Sequence, residues 1–233
     1  MVISTLVLNL RRNARSAGWM QCILMRWSRE EGPRIGSGVT VMGSYIVNSF
    51  LSSVTYILPA GNGKDCWLVD CGDVEKVVEA GWNVKGVLLT HSHCDHIYGL
   101  NKLIEVFPDA LVYTNAEGAK GLKNPRWNFS LYRHEVEDFV FGYPRNVRVI
   151  EEEGVVDLGG MRVEVLFVPG HEPSCLAFRV GDELFTGDAY IPGVKVLATL
   201  PRSNKRQAAE SLERLQRLEA LGLKVMPGHW IAE

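Results

Sequence analysis

The sequence predicts a mixed α/β sandwich, and three observations predict it. Short apolar runs bounded by turn residues alternate with helical patterns along the chain. Four of those runs end immediately before a histidine or an aspartate. With 46% hydrophobic and 22% charged residues over 233 positions, the chain has the balance of a packed globular protein and falls outside the disordered, collagen-like and coiled-coil classes. That length suits one or two domains and buries a core without disulfides or a structural metal.

Residues 1–41 carry six arginines against Glu30 and Glu31 and close on a Gly- and Pro-bearing stretch, Glu31 to Gly38. They read as a basic tail or an upstream extension before a start at Met42, dispensable to the domain at 42–233. Tyr45–Leu58 is β-rich, and Cys66–Val69 is an apolar run closed by Asp70-Cys71-Gly72, so two early strands are expected, followed by a helix over Val74–Ala80. Strands are then expected at Val87–Leu89 before His91, Val163–Val168 before His171, Glu183–Phe185 before Asp188 and Leu223–Met226 before His229. Helices are expected over Ile97–Val106 and Lys205–Ala220, the latter with Leu212, Leu215 and Leu218 on one stripe. Between strands near Leu111–Thr114 and Val147–Ile150 lie Trp127, Phe129, Tyr132, Phe139, Phe141 and Tyr143. This aromatic segment is either a lid that offers substrate an apolar wall, with Asn128 and His134 as polar contacts, or a cluster packing a surface helix.

Chemistry concentrates in His91-Ser92-His93-Cys94-Asp95-His96. Residues at i and i+2 of an extended segment point the same way, so His91 and His93 can grip one ion, while Asp95 and His96 fall where the chain turns into a helix and can face a second. Imidazole and carboxylate are donors zinc prefers. Of six histidines, five (His91, His93, His96, His171, His229) follow predicted strands, where α/β proteins build their sites.

These residues, with the turns Pro169-Gly170-His171, Gly187-Asp188 and Pro227-Gly228-His229, resemble the metallo-β-lactamase fold hydrolases over residues 45–233. The resemblance implies a four-layer αββα sandwich with two metals at one edge of its sheets. It implies that His91, His93 and His171 hold one ion, that Asp95, His96 and His229 hold the other, and that Asp188 bridges them. A bridging carboxylate is generally absent from true β-lactamases, so Asp188 points to the branch similar to glyoxalase II and its lactonase and esterase relatives. The implied function is a two-zinc hydrolase, with iron or manganese as alternative metals, that turns a metal-bridging hydroxide on a small ester, thioester or lactone, with Asp95 orienting it or shuttling its proton. Asp70 is either a partner that bonds a ligand histidine or a turn residue, and Tyr190 or Lys195 would contact substrate or serve packing and solvent. Glu172-Pro173-Ser174-Cys175 stands where relatives often have Thr-Pro-Gly-Ser, and the chain ends four residues after His229, without the helical extension that helps glyoxalase II bind glutathione.

The net charge of −2, with +4 in residues 1–41, leaves about −6 on the remainder and disfavours nucleic acid as a partner; a small molecule is expected. No apolar run approaches the ~18 residues of a membrane span, and five cysteines without a Cys-x-x-Cys pair suit a reducing cytoplasm. Cys94 and Cys175 lie beside ligands and read as soft donors, redox-sensitive thiols or buried small hydrophobes. Competing functions are a phosphodiesterase or nuclease similar to ribonuclease Z, a mononuclear iron enzyme similar to persulfide dioxygenases, and a non-catalytic binding module, which would be expected to have lost ligands.

Overall fold

The structure, a computed structural model, describes residues 44–61 and 63–230. The basic stretch 1–41 and the boundary at Met42 lie outside the described residues. Two sheets form the middle of the sandwich. The first contains β1 (Tyr45–Val47), β2 (Val54–Pro59), β3 (Asp65–Val69), β4 (Asn83–Leu88), β5 (Leu111–Asn115) and β6 (Val147–Ile150) in that spatial order. Its first two pairings are antiparallel and the rest parallel. The second contains β7 (Gly154–Asp157), β8 (Arg162–Phe167), β9 (Leu176–Val180), β10 (Glu183–Gly187) and β11 (Lys224–Pro227), ordered β11-β10-β9-β8-β7, antiparallel except for β10 with β11.

Side chains alternate along strands, and the alternation sorts the core into three interlayer clusters. Trp67 and Val69 of β3 join Tyr56, Leu88, Val165, Phe178 and Phe185 between the sheets. Cys66 and Leu68, one residue out of phase, face the other way onto α1 (Val74–Glu79), α2 (Cys94–Ile97) and α3 (Leu100–Val106) through Val77, Ile97, Leu100 and Leu103. On the far side Leu166, Ala177 and Leu184 pack under Leu215 of α5 (Lys205–Ala220), whose first turn is capped by Asn204 Oδ1 accepting from the amides of Arg206 and Gln207. Three clusters between four layers make the αββα sandwich; α4 (Ala116–Gly121) follows β5.

The single helix expected over Ile97–Val106 is two, broken at Gly99. A Cβ at Gly99 would lie 2.0 Å from the Gly72 carbonyl oxygen, so the chain after β3 crosses there at backbone distance. The segment is laced by Cys71 N–H to His96 O (2.8 Å) and Gly99 N–H to Cys71 O (3.1 Å). Two backbone bonds join the sheets at one edge: Leu176 N–H to Thr90 O (2.7 Å) and Val54 N–H to Gly228 O (2.8 Å). That edge carries the site.

Candidate metal centre

β4 ends before His91, β8 before His171, β10 before Asp188 and β11 before His229, so rigid strands deliver loop donors to a common edge. His93 precedes α2, and Asp95 and His96 occupy its first turn. Three overlapping donor groups result: His91, His93 and His171; Asp95, His96 and His229; and His91, His96 and Asp188, the last joining the first two.

The atomic spacing is that of ligand shells. His96 Nε2, His229 Nε2 and Asp95 Oδ2 form a near-equilateral triangle with sides of 3.3, 3.4 and 3.3 Å. Donors at ~2.0–2.1 Å from one tetrahedral zinc would stand about 3.3 Å apart. His171 Nε2 is 3.0 Å from His93 Nδ1 in the other group. Asp188 reaches both groups, with Oδ1 3.5 Å from His96 Nε2 and Oδ2 3.3 Å from His229 Nε2 and 3.6 Å from His171 Nε2. His91 Nε2 and Asp188 Oδ1, both turned toward the centre, are buried without a hydrogen-bond partner, which a protein rarely tolerates unless something else completes them. These residues fit divalent metal ions.

The outer nitrogens of His91, His96, His171 and His229 are committed, and the commitments set those tautomers; His93 turns Nδ1 inward instead. Thr90 Oγ1 donates to Asp70 Oδ2 (2.7 Å) and so accepts from His91 Nδ1–H (3.1 Å). His96 Nδ1–H donates to Asp70 Oδ2 (2.8 Å), His171 Nδ1–H to Leu197 O (2.8 Å) and His229 Nδ1–H to Leu51 O (3.0 Å). Four imidazoles thus present Nε2 to the centre. Leu51 and Ser52 both adopt left-handed backbone, φ 54° and 55°, to deliver that carbonyl, and Ser53 Oγ donates to Asp95 O (2.6 Å) from the same loop. Gly228 has no alternative residue, because a Cβ there would stand 2.5 Å from Asp188 Oδ1.

Electrostatics follow the same division. Burial, then the surrounding imidazoles, hold His91 well below its usual range and His93 at about 3, both neutral with a lone pair to offer. Burial opposes charge on His96 as well, but Asp95, Asp188 and Asp70 outweigh it and raise that imidazole to about 9. Asp188 and Asp95 likewise overcome burial at His229 and raise it. The two carboxylates are held ionised against burial by those histidines.

Asp70 sits at the hub, with Oδ1 accepting from Thr90 N–H (2.8 Å) and Oδ2 from Thr90 and His96. Tyr190 packs in the cluster under α5 and its hydroxyl donates to Glu219 (2.6 Å), so the side chain is committed to that helix; Lys195 is exposed on the loop after Asp188. Burial pushes the Cys94 thiol up to about 12 and Cys175 well above its usual value, and neither belongs to a donor group. The aromatic segment divides: Phe139, Phe141 and Tyr143 pack on the helix-side cluster, whereas the Phe129 ring stands edge-on to His93 at 4.9 Å. Asn128 is buried and bonds the carbonyls of Gly121 and Phe139, and His134 is exposed.

Residue typing missed Thr90 and the carbonyls of Leu51 and Leu197, which no side-chain pattern announces. It also left Glu172 without a partner. That carboxylate, 1% exposed, accepts from Arg202 Nε (3.0 Å) and Ser174 N–H (2.6 Å), while Arg202 also donates to Glu117 (2.8 Å) and lies over Trp127 at 4.0 Å. Ser174 Oγ accepts from Ser92 N–H (3.1 Å), so Glu172-Pro173-Ser174-Cys175 ties the His171 loop to the His91–His93 loop.

The profile of the metallo-β-lactamase superfamily matches residues 49–229. A hydroxyacylglutathione hydrolase of Blochmanniella pennsylvanica is 31% identical over 141 residues, 58% of this chain and 47% of that protein. The acyl-coenzyme A thioesterase MBLAC2 of Gallus gallus is 27% identical over 210 residues, 73% of this chain and 74% of that one. Among solved structures, TTHA1623 in a di-iron-bound form superposes with a TM-score of 0.63 at 26% identity, covering 81% of this chain and 92% of that one. The chain spans about half the length of the hydroxyacylglutathione hydrolases it matches.

Proposed function

The chain belongs to the metallo-β-lactamase superfamily, and from that premise we propose that it is a two-metal hydrolase of a small ester, thioester or lactone. The observation that carries the proposal is Asp188, whose two oxygens stand within 3.3–3.6 Å of donors from both triads. His91, His93 and His171 would hold one divalent ion and Asp95, His96 and His229 the other, with Asp188 between them; the donor set favours zinc, and iron fits the same atoms. When bound, such a pair supplies Lewis acidity toward a carbonyl and brings the pKa of water down toward neutrality.

The chain's own residues do the rest. Asp95 keeps Oδ2 against His96 and His229, which leaves Oδ1 to orient the attacking water, accept its proton and return it to the departing oxygen or sulfur. Asp70 and Thr90 hold His96 and His91 in the tautomers that keep Nε2 free of a proton. The hydrolase and thioesterase names of the relatives support an acyl substrate. The four described cysteines are free and buried, which suits the cytoplasm, and no helix among the described residues is long and apolar enough to cross a membrane.

Metal analysis of the purified protein, followed by a screen of ester, thioester, lactone and phosphodiester probes with and without chelator, tests the reading. Chelator-sensitive cleavage of an acyl probe with two metals per chain is expected. Cleavage of phosphodiesters alone, or oxygen uptake with a single iron, would overturn it.

A further inference from the structure

Residues 128–133 begin on the ligand helix beside His93 and end over Phe50, in the loop that bonds His229 and Asp95. Cys94 N–H, between His93 and Asp95, donates to Asn128 O at 2.7 Å, so the segment is bonded to the ligand helix itself. Buried bonds from Ser130 N–H to Asn128 Oδ1 (3.0 Å) and from Phe139 N–H to Ser130 Oγ (2.8 Å) stiffen it. Phe129 adopts left-handed backbone, φ 65°, which is costly for an aromatic residue. That conformation sets its ring against His93 at 4.9 Å, with Tyr132, half exposed, 5.9 Å farther on and Leu131 exposed beside it.

At the far end Arg133 lies 6.0 Å over the ring of Phe50. Phe50 belongs to the loop whose neighbours Leu51 and Ser53 bond His229 and Asp95, so this guanidinium lies over the loop that supports the second triad, while Phe129 touches a ligand of the first. No carboxylate among the described residues pairs with it, which is equally true of Arg126, Arg145, Arg148 and Arg162; what sets Arg133 apart is its place over the ring of Phe50. A half-buried fork of donors without an anion, beside an aromatic step and two donor triads, is a recognition surface.

We propose that Phe129, Tyr132 and Arg133 select the substrate: an acyl compound whose apolar chain lies on the two rings and whose carboxylate pairs with Arg133. This rests on the acyl-hydrolase reading above. It differs from packing alone, because the buried half of the aromatic segment does the packing, while Tyr132 is exposed and Phe129 and Arg133 stay partly exposed beside the metal-ligating loop.

The test uses metal-loaded full-length protein and matched acetyl and hexanoyl thioesters. One series is neutral on N-acetylcysteamine; two others carry a carboxylate, on the thiol half or at the end of the acyl chain. Hexanoyl should exceed acetyl in kcat/KM, and one carboxylate series should exceed the neutral one by about tenfold or more. Arg133→Gln should erase the carboxylate preference through KM, far more than it changes the neutral series, and Phe129→Ala should erase the hexanoyl preference. Equal effects of Arg133→Gln on all series, or none, would overturn the proposal while leaving the hydrolase reading intact. If the wild type cleaves no thioester, the thioester part of the hydrolase reading fails by itself, and calorimetry with the corresponding non-hydrolysable thioethers decides the surface: carboxylate-dependent binding weakened about tenfold by Arg133→Gln supports it, and unchanged or absent binding overturns it.

Discussion

Asp70→Asn isolates the control of the ligand tautomers. Position 70 has φ 58°, a conformation asparagine accepts, so the backbone is spared. The side chain is not. Asp70 Oδ1 accepts from Thr90 N–H at 2.8 Å, and Oδ2 accepts from Thr90 Oγ1 at 2.7 Å and His96 Nδ1 at 2.8 Å. An amide that keeps its oxygen toward His96 turns its NH₂ onto the Thr90 N–H, donor against donor. The opposite rotamer puts NH₂ on His96 Nδ1, and the ring must then carry its proton on Nε2, the atom 3.3 Å from His229 and 3.4 Å from Asp95. Either outcome costs about 1–3 kcal/mol as a mismatched buried bond. The second removes a metal donor, worth about 10–100-fold in affinity, or about 1.4–2.7 kcal/mol. Competition with a chromophoric chelator measures that loss directly, and urea unfolding of the metal-free protein separates it from the cost to the fold. Asp70→Asn with wild-type metal affinity would refute the claim that the Asp70 bond sets the His96 donor.

Arg202→Met leaves the Glu172 carboxylate, 1% exposed, without its cation and should destabilise by about 3 kcal/mol, with Glu172→Gln in the same chain recovering most of it; denaturant melts of the single and double variants check this. Gly228→Ala should drive the Asp188 carboxylate from its place and press on the Gly187 backbone, since the new Cβ would lie 2.5 Å from Oδ1 and 2.8 Å from the Gly187 carbonyl carbon, and so lower both metal content and stability, read by elemental analysis and denaturant melts. Acid stability should carry the mark of Asp73: burial works against its carboxylate, yet bonds from Lys76, Tyr98 and Ser49 hold it at about 2 against an ordinary 3.8. That contribution is present above pH ~3.8 and lost as pH falls through about 2, and Asp73→Asn should remove a pH-dependent part of the stability worth about 1 kcal/mol after solvent screening.

Much of the architecture was legible because four strands end on donors. Runs such as Val163–Val168 and Leu223–Met226 are short, apolar and punctuated by Pro-Gly before a histidine, and β8 and β11 lie within a residue of those bounds. β9 was not, because Leu176–Val180, although turn residues Pro173-Ser174 precede it, is followed by no ligand and is interrupted by the charge of Arg179. The break at Gly99 was hidden for another reason: it depends on how near Gly72 passes, a tertiary distance that no periodicity encodes. The donor types stood out as side chains, whereas the bonds orienting them come largely from Leu51 and Leu197 carbonyls and from consecutive left-handed residues at 51 and 52, where amino-acid identity is nearly mute. The aromatic segment was read as a lid or as packing, and residue-level burial divides it between Phe129 at the centre and Phe139 in the core.

The central claim is that Asp188 joins two metal sites into one. The most direct test is metal content and hydrolytic rate on matched preparations of the wild type and Asp188→Asn. A bridging carboxylate offsets the repulsion of two dications, so the wild type should hold about two metals per chain and the variant about one, with turnover reduced by orders of magnitude. A variant that keeps two metals and normal turnover would contradict the account.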